Sequence, residues 1–408
     1  MKTYICKNRR CSTRLVSVAS LAVVLAWPLW ASEVVQPMAS AAAPRACVDL
    51  PVASMPEENG PRIQLALLLD TSRSMDGLIE QAKSQLWKVV NTFIDARQNG
   101  KMPVVEVALY EYGKDSLNAE SHWVRCLQPL TRDLDKVSEE LFALKTNGGS
   151  EFCGAVISKA VADLAWDASS DTYKALFIAG NEPFTQGPIT PEVACKAAAT
   201  RGVVVNTIHC GTEQVGLDTG WKKGADLADG RYLVIDSNKA VVHIEAPQDA
   251  EIVKLNASLN TTYIGFGAGG SEGMARQQQQ DVNAASMAPA GAAMQRAITK
   301  SSANYNNATW DLVDAAKDKK FDIAKLEKEE LPKELQGLDT EQIKQRIDAK
   351  AAERAAIQNK IAELAKQREA YLIEQKKSAT SRENADTLDA AISQTVRAQA
   401  EKKGIRFE

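Results

Sequence analysis

The fold of this chain is decided by residues 63–74, which read IQLALLLDTSRS. The run before Asp70 is mostly Leu, Ile and Ala, and it is long enough for one buried strand. After the loop, apolar residues recur at a helical period from Leu78 to Ile94. Ligands of an open α/β sheet bind at the carboxyl ends of its strands. A loop there that offers the Asp70 carboxylate and the hydroxyls of Ser72 and Ser74 predicts a site for a hard cation such as Mg²⁺.

Strand-like and helix-like segments alternate after this loop. Four further apolar runs of strand length are Val104–Tyr112, Ala175–Ala179, Val203–His209 and Tyr232–Ile235. The segment Trp123–Leu130 is predicted to pair antiparallel with the first of them. Such alternation predicts an α/β fold: a doubly wound, mainly parallel sheet with one antiparallel edge strand and helices on both faces.

Three short motifs lie at predicted strand–helix junctions. They read DTSRS at 70–74, GGS at 148–150 and ALFIAGNEP at 175–183. In type and order they resemble the von Willebrand factor type A (VWA) domain, whose metal-ion-dependent adhesion site (MIDAS) has Asp-x-Ser-x-Ser, then Gly-Gly-Thr, then Thr-Asp-Gly before Glu-Pro. The chain departs from that pattern twice. Ser150 replaces the threonine and keeps the hydroxyl, and Gly180 stands where the family has an aspartate.

The resemblance implies a metal site and a mode of partner binding. Mg²⁺ or another divalent cation would be held by Asp70, Ser72, Ser74 and Ser150. An acidic side chain of a partner protein would complete the coordination shell. The residues expected to face that partner are Arg73, Glu151, Asn181 and Glu182. Asn181 and Glu182 are also candidates for the oxygen that Gly180 does not supply.

A structural interpretation of the same residues stays open. Asp70 and the serines are also the residue types that cap a following helix and satisfy loop amides. His209 and Cys210 adjoin at a strand end, but no motif links them, so a packing role is expected for His209. The chain has no Ser-His-Asp arrangement, P-loop or dinucleotide fingerprint, and we expect that it is not an enzyme.

The first 41 residues have the features of a secretory signal peptide. Basic residues between Lys2 and Arg14 precede an apolar segment from Leu15 to Ala31, and Ala39-Ser40-Ala41 matches an A-x-A cleavage site. The alternative is an uncleaved N-terminal anchor. No later segment has about 18 uninterrupted apolar residues, so no other membrane span is expected. We therefore expect a periplasmic or secreted protein. Its net charge of -3 gives no basic field for nucleic acid.

Export would allow disulfides. The cysteines after the signal segment are Cys47, Cys126, Cys153, Cys195 and Cys210. A Cys195–Cys210 bridge is favoured, because both residues are expected near the carboxyl edge of the sheet. Cys153 has Cys126 or Cys210 as alternative partners. A zinc site is disfavoured, because no C-x-x-C spacing occurs.

The composition divides the remaining chain into four segments. Residues 42–61 form a leader, 62–266 the VWA domain, 267–339 a Gly-, Gln- and Ala-rich linker with short helices, and 340–408 a helical, coiled-coil-like tail. An apolar stripe along the tail consists of Ile343, Ile347, Ile357, Ile361, Leu364 and Tyr371. Charged residues interrupt it at Lys350, Arg354 and Arg368, so a strict coiled-coil seam is not expected. The stripe pairs either with Leu388, Ile392 and Val396 in a helical hairpin or with a second copy of the chain.

Two functions fit these features. The favoured one is an exported, non-enzymatic protein-binding module that uses the adhesion-type site at Asp70. The alternative is a structural scaffold, a homo-oligomer that assembles through its C-terminal helices and carries a degenerate VWA domain. Replacing Asp70 separates the two, because only the first depends on this carboxylate.

Overall fold

The computed structural model describes residues 60–239, 241, 243–287, 291–378 and 387–408. The predicted signal peptide at 1–41, Cys47 and all but the last two residues of the predicted leader lie outside the described residues. No helix in the described part of the chain combines the length and the apolar character needed to cross a membrane.

A six-stranded sheet forms the centre of the fold. The strands of the described chain are β1 (Arg62–Asp70), β2 (Ala96–Arg97), β3 (Val104–Tyr112), β4 (Val124–Thr131), β5 (Tyr173–Gly180), β6 (Val204–Cys210), β7 (Tyr232–Ile235) and β8 (Arg406–Phe407). The sheet has the order β4-β3-β1-β5-β6-β7, while β2 and β8 form a separate pair. Strand β4 is antiparallel to β3, and the other neighbours are parallel. The predicted doubly wound sheet with one antiparallel edge strand is confirmed.

Helices cover both faces of this sheet. The helices of the described chain are α1 (Asp76–Asn91), α2 (Leu134–Ala143), α3 (Cys153–Asp163), α4 (Pro191–Thr200), α5 (Glu213–Asp218), α6 (Trp221–Asp226), α7 (Asp249–Asn260), α8 (Gly270–Ser286), α9 (Ala292–Lys300), α10 (Leu312–Ala315), α11 (Thr340–Ser378) and α12 (Leu388–Ala400). Leu65, Leu67 and Leu69 of β1 pack in one core with α1, α2 and α12, which we call the α1 face. The alternate residues Ala66 and Leu68 pack with α3 and α4, on the α3 face. By the same alternation Asp70 lies on the α3 face.

The predicted disulfide between Cys195 and Cys210 is wrong, because both thiols are free. Cys195 lies in α4 and packs in the core of the α3 face. Cys210 ends β6 and packs in the core of the α1 face. The sheet therefore separates the two sulfur atoms. Burial raises the pKa of Cys195 to about 12, so this thiol stays protonated and unreactive near neutral pH.

The helices after residue 266 pack on the sheet domain and on one another. In the segment predicted as a linker, α8 packs against α2, and α9 packs against α1 and α7. The apolar stripe of α11 is covered by the same chain: Ile343 and Ile347 pack with Leu312 of α10, and Ile361 packs with Ile252 of α7. The predicted boundaries at 266 and 340 stay predictions.

The last helix completes the core of the α1 face. Leu388, Ile392 and Val396 of α12 are buried there, next to α1 and β5. They pack against the sheet domain rather than against the α11 stripe, so the predicted helical hairpin is not the arrangement seen. The side chain of Gln399 accepts a hydrogen bond from the Tyr173 hydroxyl at 2.7 Å and donates one to Asn206 at 2.7 Å. These contacts fix α12 beneath β5 and β6.

Candidate functional site

Asp70 ends β1 and lies beside Tyr112, the last residue of β3. Its side chain is fully buried, at 0% exposure. The Oδ1 atom accepts a hydrogen bond from the backbone N–H of Ser72 at 2.7 Å, and the buried Oδ2 atom has no hydrogen-bond partner among the residues that the structure describes. Burial raises the pKa of Asp70 to about 7, because desolvation outweighs the hydrogen bonds from Ser72, and the nearby Glu151 and Glu182 raise it further. A buried carboxylate of this kind favours a proton or a cation beside it.

Three neutral oxygens from two loops lie side by side at this edge. The hydroxyl oxygens of Ser72 and Ser74 are 3.2 Å apart, and the Ser74 hydroxyl donates to the Asn181 side-chain oxygen at 3.3 Å. The fold thus brings Asn181, which follows β5, into contact with the first motif. Oxygen atoms of this type are ligands that Mg²⁺ accepts.

The second motif lies alongside the first. The backbone N–H of Asn147 donates to the carbonyl of Thr71 at 3.0 Å, and Ser72 forms a parallel bridge with Asn147. Ser150 follows in this loop and is half-buried. The metal-binding role of Ser150 stays a prediction.

The predicted partner-facing residues differ in exposure. Arg73 is exposed, and Asn181 and Glu182 are half-buried, whereas Glu151 is only 7% exposed. Burial raises the pKa of Glu151, with further contributions from Glu182 and Asp115. Several acidic groups therefore lie near Asp70. The Glu151 side chain is more buried than those of Arg73, Asn181 and Glu182.

Gly180 occupies the place of the family aspartate, and its neighbours leave no room for a side chain. A Cβ atom at Gly180 would lie 2.5 Å from the Tyr112 hydroxyl oxygen and 3.0 Å from Asp70 Oδ2. The Tyr112 hydroxyl is held there, because it donates to the Ala179 carbonyl at 3.0 Å. Tyr112 lies outside the three sequence motifs, so they do not predict it as a site residue. The only available signal was its position at the end of a predicted strand next to β1.

The alternative role of the serines as helix caps is not observed. Ser72 precedes a short 3-10 turn at Arg73–Met75, and its side chain makes no capping hydrogen bond. Met75 precedes α1 and provides no side-chain cap either. The structural interpretation therefore holds for Asp70 Oδ1, which accepts a loop amide, but not for the serine hydroxyls.

His209 lies one strand away from Gly180, in register with it across β5 and β6. Its ring is buried and contacts Trp221, with ring centroids 5.6 Å apart. Burial lowers the pKa of His209, so the ring is neutral at physiological pH. Neither ring nitrogen has a hydrogen-bond partner within the described residues. This environment fits the expected packing role.

Within the ranges that the structure describes, no group of three or more His, Cys, Asp or Glu side chains is placed to hold a metal ion. The first and third motifs instead bring together one buried carboxylate with hydroxyl and amide oxygens.

Replacing Gly180 by alanine should lower the free energy of unfolding by about 1–3 kcal/mol, because the new methyl group overlaps the Tyr112 hydroxyl. Adding Tyr112→Phe to this variant should recover part of the loss. Urea denaturation of both variants measures the effect. A control is Gly337→Ala, at a glycine whose Cβ position has no atom within 4 Å. Equal stability of Gly180→Ala and Gly337→Ala would contradict the close packing at Gly180.

No protein-family profile matches the chain, and no curated protein matches it. Solved structures do match, with low identity. BatB from Bacteroides thetaiotaomicron has 15% identity and a TM-score of 0.34, over 43% of this chain and 90% of that chain. The SpRpn10 VWA domain has 18% identity and a TM-score of 0.32, over 43% and 88%. The matched structures include VWA domains, as the resemblance predicts.

A third match is proximal thread matrix protein 1 from the mussel byssus, described with a zinc-occupied MIDAS motif. It has 13% identity and a TM-score of 0.33, over 43% of this chain and 42% of that chain. At such identities the likeness concerns the fold alone.

Proposed function

We propose that this chain is an exported, non-enzymatic protein-binding module that engages a partner protein at the carboxyl edge of β1. The observation that carries the proposal is the buried Asp70 Oδ2 atom, which has no hydrogen-bond partner in the described part of the chain. It lies in the same loop as the adjoining hydroxyls of Ser72 and Ser74. A buried carboxylate oxygen without a partner is costly in a fold that needs it only for packing.

A divalent cation, Mg²⁺ in the first place, fits this donor set. Asp70, Ser72, Ser74 and Ser150 would hold it, and the Asn181 oxygen adjoins them through Ser74. The bound cation would supply positive charge at the edge of the sheet. An acidic side chain of the partner would bind there, and the exposed Arg73 would add a second positive group beside it.

Mg²⁺ should raise the unfolding temperature of the chain in an Asp70-dependent manner. A ligand at 100 times its dissociation constant stabilises the native state by about 2.7 kcal/mol, which corresponds to several degrees. The measurement compares EDTA with Mg²⁺, Mn²⁺ and Ca²⁺ at millimolar concentration, for the wild type and for Asp70→Asn. If the wild type unfolds at the same temperature in EDTA as in Mg²⁺, Mn²⁺ and Ca²⁺, the proposal that the site binds a cation is contradicted.

Partner binding is tested by affinity capture from an extract of the source cell envelope. We expect the immobilised wild type to retain one or more proteins in Mg²⁺ and to release them in EDTA. Immobilised Asp70→Asn should not retain these proteins. Identical sets of proteins on the wild type and on Asp70→Asn would contradict binding through this site. Substrate turnover by the wild type that is lost in Asp70→Asn would contradict the proposal that the protein is not an enzyme.

The scaffold alternative relies on the C-terminal helices as an assembly surface. In the described chain the apolar stripe of α11 is covered by α7 and α10 within the same molecule. Arg354, which interrupts that stripe, is buried and paired with Asp311 and Asp314. The surface that would drive self-association is thus used internally, which favours the first function.

A further inference from the structure

Position 180 holds a glycine where the family has an aspartate. A side chain at Gly180 would meet the Tyr112 hydroxyl at 2.5 Å from its Cβ atom. That hydroxyl is fully buried and bonded to the Ala179 carbonyl. Position 180 therefore has no space for a carboxylate, and a second negative charge of the site has to come from another position.

Glu151 is a buried carboxylate near Asp70 that can supply this charge. Gly113, at the end of β3, has a φ of 83°, and a Cβ atom there would lie 2.7 Å from Glu151 Cγ and 3.0 Å from Asp70 Oδ1. The side chains of Glu151 and Asp70 therefore line the same narrow space beside Gly113. The side chain of Gln186, in the loop after β5, partly offsets the effect of burial on the pKa of Glu151.

Within the described ranges, neither of these two buried carboxylates has a basic partner. Among the described residues, no Lys, Arg or His side chain forms an ion pair with Asp70 or Glu151, and Asp70 Oδ2 has no hydrogen-bond partner. Buried carboxylates are ordinarily paired with a cation, either a basic side chain or a metal. Other buried acids of this chain follow that rule: Glu111 pairs with Arg125, and Asp135 pairs with Arg296.

We propose that Glu151 supplies the second carboxylate of a divalent-cation site centred on Asp70, in place of the aspartate that Gly180 replaces. This inference rests on the proposed function and assigns Glu151 to the cation rather than to the surface of a partner. In this arrangement the Tyr112 hydroxyl fills the space beside Gly180. The second carboxylate then comes from Glu151, directly after the second motif, and not from the third motif. Carboxylate, hydroxyl and amide oxygens suit Mg²⁺ and Mn²⁺.

The experiment measures Mn²⁺ binding to the full chain by titration calorimetry and by the loss of the free Mn²⁺ electron-paramagnetic-resonance signal. The variants are Asp70→Asn, Glu151→Gln and, as a matched control, Glu363→Gln on the exposed face of α11. We expect Asp70→Asn to abolish binding. Glu151→Gln should weaken it about tenfold or more, since even outer-shell partners of metal ligands contribute about 10–100-fold. Glu363→Gln should bind as the wild type does.

Unfolding temperatures separate a ligand role from a structural one. In EDTA, Glu151→Gln should unfold at or above the wild-type temperature, because one of two adjacent like charges has been removed. In Mn²⁺, the same variant should lose the metal-dependent rise. A lower unfolding temperature of Glu151→Gln in EDTA would overturn the inference, because it would show a structural role for this carboxylate.

A second result would also overturn the inference: Glu151→Gln binds Mn²⁺ with wild-type affinity, while Asp70→Asn does not bind it. The proposed function would not be affected by this result. Absence of Mn²⁺ binding by the wild type at millimolar concentration would overturn both the inference and the cation part of the proposed function.

Discussion

Replacing Arg296 by alanine should lower the free energy of unfolding by about 3–5 kcal/mol, because the change leaves the buried Asp135 carboxylate without a counter-charge. The Arg296 side chain is 1% exposed and forms ion pairs with Asp135 of α2 and Asp281 of α8. Its guanidinium also lies over the Trp87 ring, 4.6 Å from the centroid. Without it, Asp135 retains only the hydrogen bond from the Tyr305 hydroxyl, at 2.6 Å, among the contacts described at this centre.

The measurement is urea denaturation followed by tryptophan fluorescence and by circular dichroism. Arg346→Ala is the matched control, because Arg346 lies on the exposed side of α11 and its loss should change stability by no more than about 0.5 kcal/mol. A loss below about 1 kcal/mol for Arg296→Ala would show that the ion pairs do not hold the helices together.

The sequence predicted the sheet well because its strands carry strong local signals. The run before Asp70 is apolar at every position but Gln64, as a strand buried on both faces requires, and β1 has these bounds within one residue. The mainly parallel arrangement follows from the alternation of strands and helices, which local periodicity reveals. The edge strand β4 was also readable, because a short turn-rich segment joins it to β3.

The C-terminal half was predicted less well because its packing depends on charges that have partners far away in the chain. Arg354 and Arg368 look like solvated interruptions of the α11 stripe, yet Arg354 binds Asp311 and Arg368 binds Asp249. Periodicity alone cannot distinguish an exposed arginine from one that meets a distant carboxylate. The same limitation hid the ion pair between Arg296 and Asp135.

At the candidate site, the motifs predicted which loops meet but not what fills the space between them. Tyr112 is a strand aromatic that any core could contain, and Glu151 follows a motif serine as an ordinary loop acid. Their importance comes from register: Asp70 pairs with Tyr112 across β1 and β3, and Gly113 brings Glu151 beside Asp70. Contacts of this kind can be recognised only in the three-dimensional structure.

Deleting residues 387–408, which contain α12, should abolish cooperative unfolding of the chain. Burial of Leu388, Ile392 and Val396 contributes about 1.5–3 kcal/mol for each side chain. Their combined loss is comparable with the whole stability of a typical domain, about 5–15 kcal/mol. The deletion also leaves Tyr173 and Asn206 without the Gln399 side chain, at a further cost of about 1–3 kcal/mol for each unsatisfied group.

A point variant tests the same contact in a chain that still folds. Ile392→Ala, at a side chain that is 1% exposed, should cost about 2–5 kcal/mol. Its matched control is Ile373→Ala, at 51% exposure on α11, which should change stability by no more than about 0.5 kcal/mol. Two results together would contradict a stabilising role of α12: equal stabilities of Ile392→Ala and Ile373→Ala, and cooperative unfolding of the chain that lacks residues 387–408. The α1 face would then be stabilised by α1 and α2 without α12. The expected result makes α12 a structural part of the sheet domain, although it follows β7 by about 150 residues.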